Sequence, residues 1–364
     1  MEKSAVFNSS VAEKEPEKSR LDWVDVAKGM AILMVTLFHA DAVLGKVDID
    51  TGIGGDIHQF LKPLRMPLFF AVSGLFALSA IKGTYTNLWN RRLRQYIWLL
   101  VLWTCIMWML GKLQVFSHDP AYPKDVSSLF KAIIRPLGNI WFLWCLPIYF
   151  IAAKLLRRFD PKVVFCVLCL LSVAAFFIDA APLRGSIFGS IKRNIAILSA
   201  PKFFIFFWVA ANYRDKFVEY VPSRIKQCLM FAIAFSVLGG LVFYFNEPIL
   251  TAVLSLPSAG LGVLLLLALS KLLPRIAPGL ASPLQVLGTQ TVPIYVIQMP
   301  LMMLIVLPLA GYIYTSPVIA VLLHIILALF VIIMAKLLAS LAKNLHFKWL
   351  FDAPSAICIR TAKP

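Results

Sequence analysis

Charge is scarce in this chain. Only 15% of its 364 residues are charged, and acidic residues are the scarcer half, 18 Asp and Glu against 35 Lys and Arg. So few charges cannot clothe a soluble domain of this size. Histidines number five, and they share no ligand spacing with one another or with carboxylates, which argues against a metal centre. Six cysteines are scattered, five of them in apolar runs. Cys166 and Cys169 have redox spacing but lie mid-span without His partners or a βαβ context, so they read as small core residues and no disulfide framework is expected. No inverted repeat of the kind common in transporters is evident. No nucleic-acid reading motif accompanies the net charge of +17, so nucleic acid is not expected as a partner.

What is abundant is apolar surface. Hydrophobic residues make up 60% of the chain, with mean hydropathy +0.83. Such a chain is a polytopic membrane protein, and an all-α one, because helices satisfy their own backbone in lipid. Windows of about 20 apolar residues place ten spans at 23–43, 62–82, 96–112, 138–157, 162–179, 194–212, 227–246, 249–271, 289–311 and 316–340. Span three is short, and Pro257, Ser258 and Gly260 in span eight predict a kink or break. The first apolar segment is full length and lacks a small-residue cleavage site, so it reads as a span and not a signal peptide. Cations sit in short loops, where they fix topology and meet anionic headgroups of the bilayer. Loops carrying Lys82 to Arg94, Lys154 to Lys162, Arg214 to Lys226 and Lys271 to Arg275 outweigh the alternating set, which puts both termini in the cytoplasm. Residues 1–19 read as a disordered cytoplasmic tail, 20–345 as the ten-helix membrane domain and 346–364 as a cytoplasmic C-terminal tail. The loop Leu113 to Gly138, with His118, Asp119 and Tyr122, is long enough to cap a site.

One stretch organises the rest. RLDWVDVAKGMAILMVTLFH, Arg20 to His39, enters an apolar run while keeping Asp25, Lys28 and His39. A Lys or Asp near the centre of a span costs roughly 2.5 kcal/mol or more, so such a helix is expected to line a polar cavity. Lys28 and His39 are eleven residues apart, about 16 Å of rise, and return to within about 20° of each other on the helix. A cation near one membrane face and an imidazole deeper on the same stripe suit the two ends of one long ligand. Lys28 also stands three residues from Asp25, so an intrahelical ion pair is an alternative use for it.

These residues open a series of motifs. A cation followed eleven positions later by His, then RMPLFFAVSGL (Arg65 to Leu75), RRLR (Arg91 to Arg94), NIWFLWCLPIYF (Asn139 to Phe150) and LGTQTVPIYVIQMP (Leu287 to Pro300), resembles the membrane acyltransferase family 3 proteins. Lys in place of Arg before Gly29 is closest to the fucose 4-O-acetylase-like branch. The resemblance covers most of the chain, in order. It implies an integral O-acyltransferase of the bacterial inner membrane. Such an enzyme takes an acyl group, expected to be acetyl, from cytoplasmic acyl-CoA as co-substrate, with no bound cofactor. The acceptor is a hydroxyl of an envelope glycan or lipid-linked saccharide. His39 would be the essential residue, as general base or as transient acyl carrier; both roles stay open. Arg91 and Arg94, as the family's RxxR, would share a helix face with reach to the donor phosphates, together with Lys28, while Arg92 reads as topogenic.

Other positions have two readings each. Arg65 enters span two near the depth of His39, where it binds an acceptor phosphate, polarises an oxyanion, or fixes topology. Ser73, followed by Gly74, falls mid-span as a small-residue packing site or ligand contact. Trp141 is a membrane-belt residue or a platform for a sugar ring. Gln298 stands where many relatives carry His; it hydrogen-bonds but does not titrate. His324 reads as a packing residue. A transporter or exporter of an anionic or amphipathic small molecule would explain the buried charges equally well, but not the Lys–His phase together with RxxR.

Overall fold

The apolar runs become helices whose starts are set by the polar residues between them. Asp160, Asn194, Glu247 and Ser316 each turn a side-chain oxygen back onto first-turn backbone N–H groups, and Pro161, Pro248 and Pro317 follow three of these caps. The fold comes from a computed structural model and is described for residues 22–113, 125–136, 138–183, 187–222, 224–245, 247–309 and 316–359. The predicted N-terminal tail lies outside the described residues, as do His118, Asp119 and Tyr122 of the long loop.

Among the described residues there are helices and turns but no strand. In order they are α1 (Asp22–Leu44), α2 (Ile53–Phe60), α3 (Lys62–Leu75), α4 (Leu78–Lys82), α5 (Tyr85–Leu88), a π-helical turn (Trp89–Leu93), α6 (Arg94–Lys112), α7 (Val126–Ile134), α8 (Trp141–Leu156) and α9 (Pro161–Ala180). Then come α10 (Ile187–Lys192), α11 (Ile195–Asn212), α12 (Arg214–Tyr220), α13 (Ile225–Phe245), α14 (Pro248–Ile276), α15 (Pro278–Thr289), α16 (Thr291–Val306) and α17 (Pro317–Asn344). The chain is an all-α multi-pass membrane protein.

Nine helical stretches among the described residues are long and apolar enough to cross a membrane. The difference from the ten expected lies in the second span, which is split: α3 stops at Leu75, Phe76 and Ala77 turn, and α4 resumes at Leu78. The break predicted at Pro257 does not occur. α14 runs unbroken from Pro248 to Ile276, packed on α3, α9 and α13, which support the helix where proline removes a hydrogen bond.

At the centre, Phe70 of α3 lies 4.8 Å from both Phe142 and Tyr149 and 5.9 Å from Trp141 and Phe203, ring centre to ring centre. Aromatic pairs in this range add to the area they bury. α1 is fastened to α15 backbone against backbone. A Cβ on Gly29 would sit 1.9 Å from the Leu284 carbonyl oxygen, and one on Gly288 would sit 1.7 Å from that of Asp25. Only glycine permits that approach. Val318, Leu322, Ile326, Phe330, Ile333 and Leu337 form an exposed apolar stripe along α17, the surface a lipid-facing helix requires.

Candidate active site

The split between α3 and α4 is where the site begins. Broken backbone at membrane depth is tolerated where it lines a cavity. Here the Phe76 carbonyl turns toward Arg92, whose Nη2 donates to it at 3.0 Å. A cleft of about 370 Å³ opens beside the break. Its polar side is Lys28, Ser73, Arg92, Tyr96, Thr291 and Tyr295, and its apolar wall comes from α3 and α8. Lys28 Nζ is 3.0 Å from Asp25 Oδ1 and 4.9 Å from the centre of the Phe76 ring. The ion pair and the cleft-facing cation are therefore the same side chain. Asp25 is buried and lowers the cost of holding Lys28 there. Ser73 donates to the Phe69 carbonyl at 2.8 Å and so presents its oxygen at the wall.

The RxxR segment differs from its predicted geometry. Arg91 and Arg94 would share a face on an α-helix, but Trp89–Leu93 is a π turn, in which the Arg94 N–H reaches back five residues to the Trp89 carbonyl. Arg91 is exposed. Arg94 sends Nε to the Asn90 carbonyl at 2.9 Å and Nη1 to the Pro354 carbonyl at 3.1 Å. The cation beside Lys28 in the cleft is Arg92, which the sequence reading assigned to topology. The extra residue in the turn changes the phase, and no one-dimensional pattern announces it.

At the other end of α1, His39 is half-buried, and its ring centre is 5.3 Å from that of Phe38. Phe38 carries the Arg65 guanidinium on its face, 3.9 Å from the ring centre. Arg65 is 6% exposed, and its Nη1 is buried without a hydrogen-bond partner. The His58 ring also meets Phe38, at 6.3 Å, and stands edge-on to His324 at 5.4 Å. Thr51 donates to Asp41 in the same group. Burial holds the His58 imidazole below its usual range, opposed by Asp41 and reinforced by Arg65 and His324. His324 is buried and packs on another histidine, but it is not the satisfied packing residue expected, because its Nδ1 has no hydrogen-bond partner. Among the described residues no group of three His, Cys, Asp or Glu side chains is arranged to hold a metal.

Two polar braces connect the ends. Thr36, one turn before His39, donates to Gln298 Oε1 at 2.7 Å, and both residues are fully buried. Asn139 Nδ2 donates to the Tyr295 carbonyl at 3.1 Å, and the Tyr295 hydroxyl donates back to the Asn139 carbonyl. The NIW and IY motifs are thus tied to each other, and Gln298 to α1. Trp141 departs from expectation. It is 7% exposed and packs among Phe70 and Phe203, so it is neither a belt residue nor an open stacking platform.

Chemically, the Lys28 end offers two cations in an aromatic cleft, suited to an anionic group on a slender arm. The His39 end offers an imidazole with an unpartnered guanidinium nitrogen nearby, suited to proton transfer beside developing negative charge. His39 is not among the residues lining the cleft. Sequence reasoning missed Arg92, Thr36, Asn139, Tyr295 and the His58–His324 pair. Asn139 and Tyr295 stand inside the quoted motifs, which was the available signal. His58 and His324 are 266 residues apart in the chain and had none.

Residues 21–338 match a family described as an acyltransferase domain. The chain is 24% identical to the inner membrane protein YcfT of Escherichia coli strain K12 over 75% of its own length and 77% of that protein's. It is 25% identical to the nodulation protein NolL of Mesorhizobium japonicum over 45% of this chain and 42% of the relative. The NolL of Sinorhizobium fredii is 26% identical over 37% and 36%. No solved structure matches the chain.

Proposed function

The chain belongs to the acyltransferase family whose domain it matches over residues 21–338, and on that premise we propose that it is an O-acetyltransferase of the bacterial inner membrane. Acetyl-CoA enters from the cytoplasm, the side of both termini. The acceptor is a hydroxyl of an envelope glycan or lipid-linked saccharide. The observation that carries this reading is α1 itself: one unbroken helix bears Lys28 in a cationic cleft and His39 eleven residues on, beside Arg65.

Lys28 and Arg92 meet the anionic part of the donor in the cleft. A pantetheine arm then spans the roughly 16 Å of rise to His39. As general base, His39 takes the proton of the acceptor hydroxyl while that oxygen attacks the thioester carbonyl. The C–S bond breaks, the proton passes to the departing thiolate, and free CoA and an O-acetyl ester result. As acyl carrier, it would hold the acetyl group between two such steps. In either case Arg65 Nη1 is available to the oxygen that becomes negative.

The test uses purified protein with acetyl-CoA labelled in its acetyl group. CoA release and label on an envelope saccharide, both dependent on His39, are expected. Label carried across the membrane still attached to CoA, or no CoA release, would refute transfer and favour transport.

A further inference from the structure

Beyond α17 the chain turns back and lies along the π turn and α6, and almost every polar contact it makes is through its own backbone. Trp103 Nε1 donates to the Leu350 carbonyl at 2.9 Å and Trp98 Nε1 to that of Trp349 at 2.7 Å. Gln95 pairs twice, donating to the Phe351 carbonyl at 2.6 Å and accepting from the Ala353 N–H at 2.8 Å. Asn90 does the same with Ile359, at 2.8 and 2.9 Å. Trp89 Nε1 donates to the Ile357 carbonyl at 2.9 Å, and Arg94 to that of Pro354. The Phe351 ring packs against Trp103. A loose tail does not draw so many partners from one segment, least of all through paired amides.

These contacts concentrate on Trp89, Asn90, Arg94 and Gln95, which are the π turn and its edges. Such a turn is strained relative to the α-helix and persists where its surroundings hold it. Its widening deprives the Asn90 carbonyl of the Arg94 N–H, and Arg94 Nε covers that carbonyl instead. The strap's Pro354 carbonyl fixes the other side of the same guanidinium. Inside the turn lies Arg92, aimed into the cleft toward Phe76.

We propose that residues 347–359 are a positioning strap for the donor site, holding the π turn so that Arg92 stands beside Lys28. Arg94 is then a positioning residue, joining turn to strap. Without the strap the turn relaxes to α-helix, one residue fewer per turn, which rotates the preceding segment by about 100° and turns Arg92 off the cleft. This rests on the reading that the cleft takes the acyl donor.

The experiment measures acetyl-CoA binding by calorimetry in detergent, for the full chain and for a chain ending at His346. Folding is followed by thermal unfolding. Asn90→Ala with Gln95→Ala in the full chain keeps the question open if truncation prevents folding. Either variant is expected to weaken binding about tenfold, the size of one lost charge-assisted contact. A peptide of residues 347–359 added in trans is expected to restore it to the truncated protein. Arg92→Gln should weaken the full chain and add nothing to the truncated one, a coupling that loss of stability alone does not produce. Wild-type affinity in both strap variants, fully additive losses, or tighter binding on truncation would each overturn the strap. A full chain that does not bind acetyl-CoA would instead overturn the functional reading beneath it.

Discussion

Gly288→Ala probes whether α15 sets the position of the functional helix. The new Cβ would fall 1.7 Å from the Asp25 carbonyl oxygen, where ordinary contact begins at 3.4 Å. The two backbones must therefore part by roughly 1.7 Å, and neither side has a flexible side-chain end to give way. Overpacking costs about 1–3 kcal/mol, and contact between two backbones belongs at the top of that range. Alanine returns about 1 kcal/mol through helix propensity. The net loss is about 2 kcal/mol, or about 3 °C in thermal midpoint. Because Asp25 holds Lys28, donor affinity should fall with stability. The control is Gly279→Ala, the same change on the same helix, where a Cβ meets nothing within 4 Å. It should be neutral or slightly stabilising. Unfolding of both variants in one detergent, with acetyl-CoA titration, reads the difference. Equal midpoints for the two would refute the argument that a glycine contact docks α1.

Three further outcomes are expected. His39→Ala and His39→Gln should each lower acetyl transfer by about 100-fold or more while acetyl-CoA still binds; an active Gln variant, read from the rate of CoA release, would limit His39 to hydrogen bonding. Lys28→Met and Arg92→Gln should each weaken acetyl-CoA binding about tenfold without changing the apparent affinity for acceptor, measured by titration and by steady-state kinetics. Thr36→Val leaves the Gln298 oxygen buried and unpaired and should cost about 1–3 kcal/mol, whereas Thr36→Val with Gln298→Leu should recover most of it; strictly additive unfolding losses would show that the brace contributes nothing.

Hydropathy and charge alone determined that this chain is a bundle of membrane helices, because lipid admits few other ways to satisfy a backbone. Periodicity placed Lys28 and His39 on one side of α1, since eleven residues return a regular helix to the same face. The family was legible in the motif order, and Asp25 three residues before Lys28 announced their ion pair. Where helix regularity failed, no local pattern announced it. The break fell at Phe76 and not at Pro257, because a proline is tolerated in a packed helix while backbone beside a cleft can leave the helix. The π turn exchanged the expected pair of arginines for Arg92, since one added residue rotates every phase argument that crosses it. Trp141 went to the core and His58 met His324 through packing between distant segments. The C-terminal residues, polar enough to read as a tail, became a strap only because Asn90, Gln95 and three tryptophans of another helix face their backbone. Local pattern fixes what a residue can do along its own helix; which residues share a site is decided by contacts between helices, and those are not written in any single stretch.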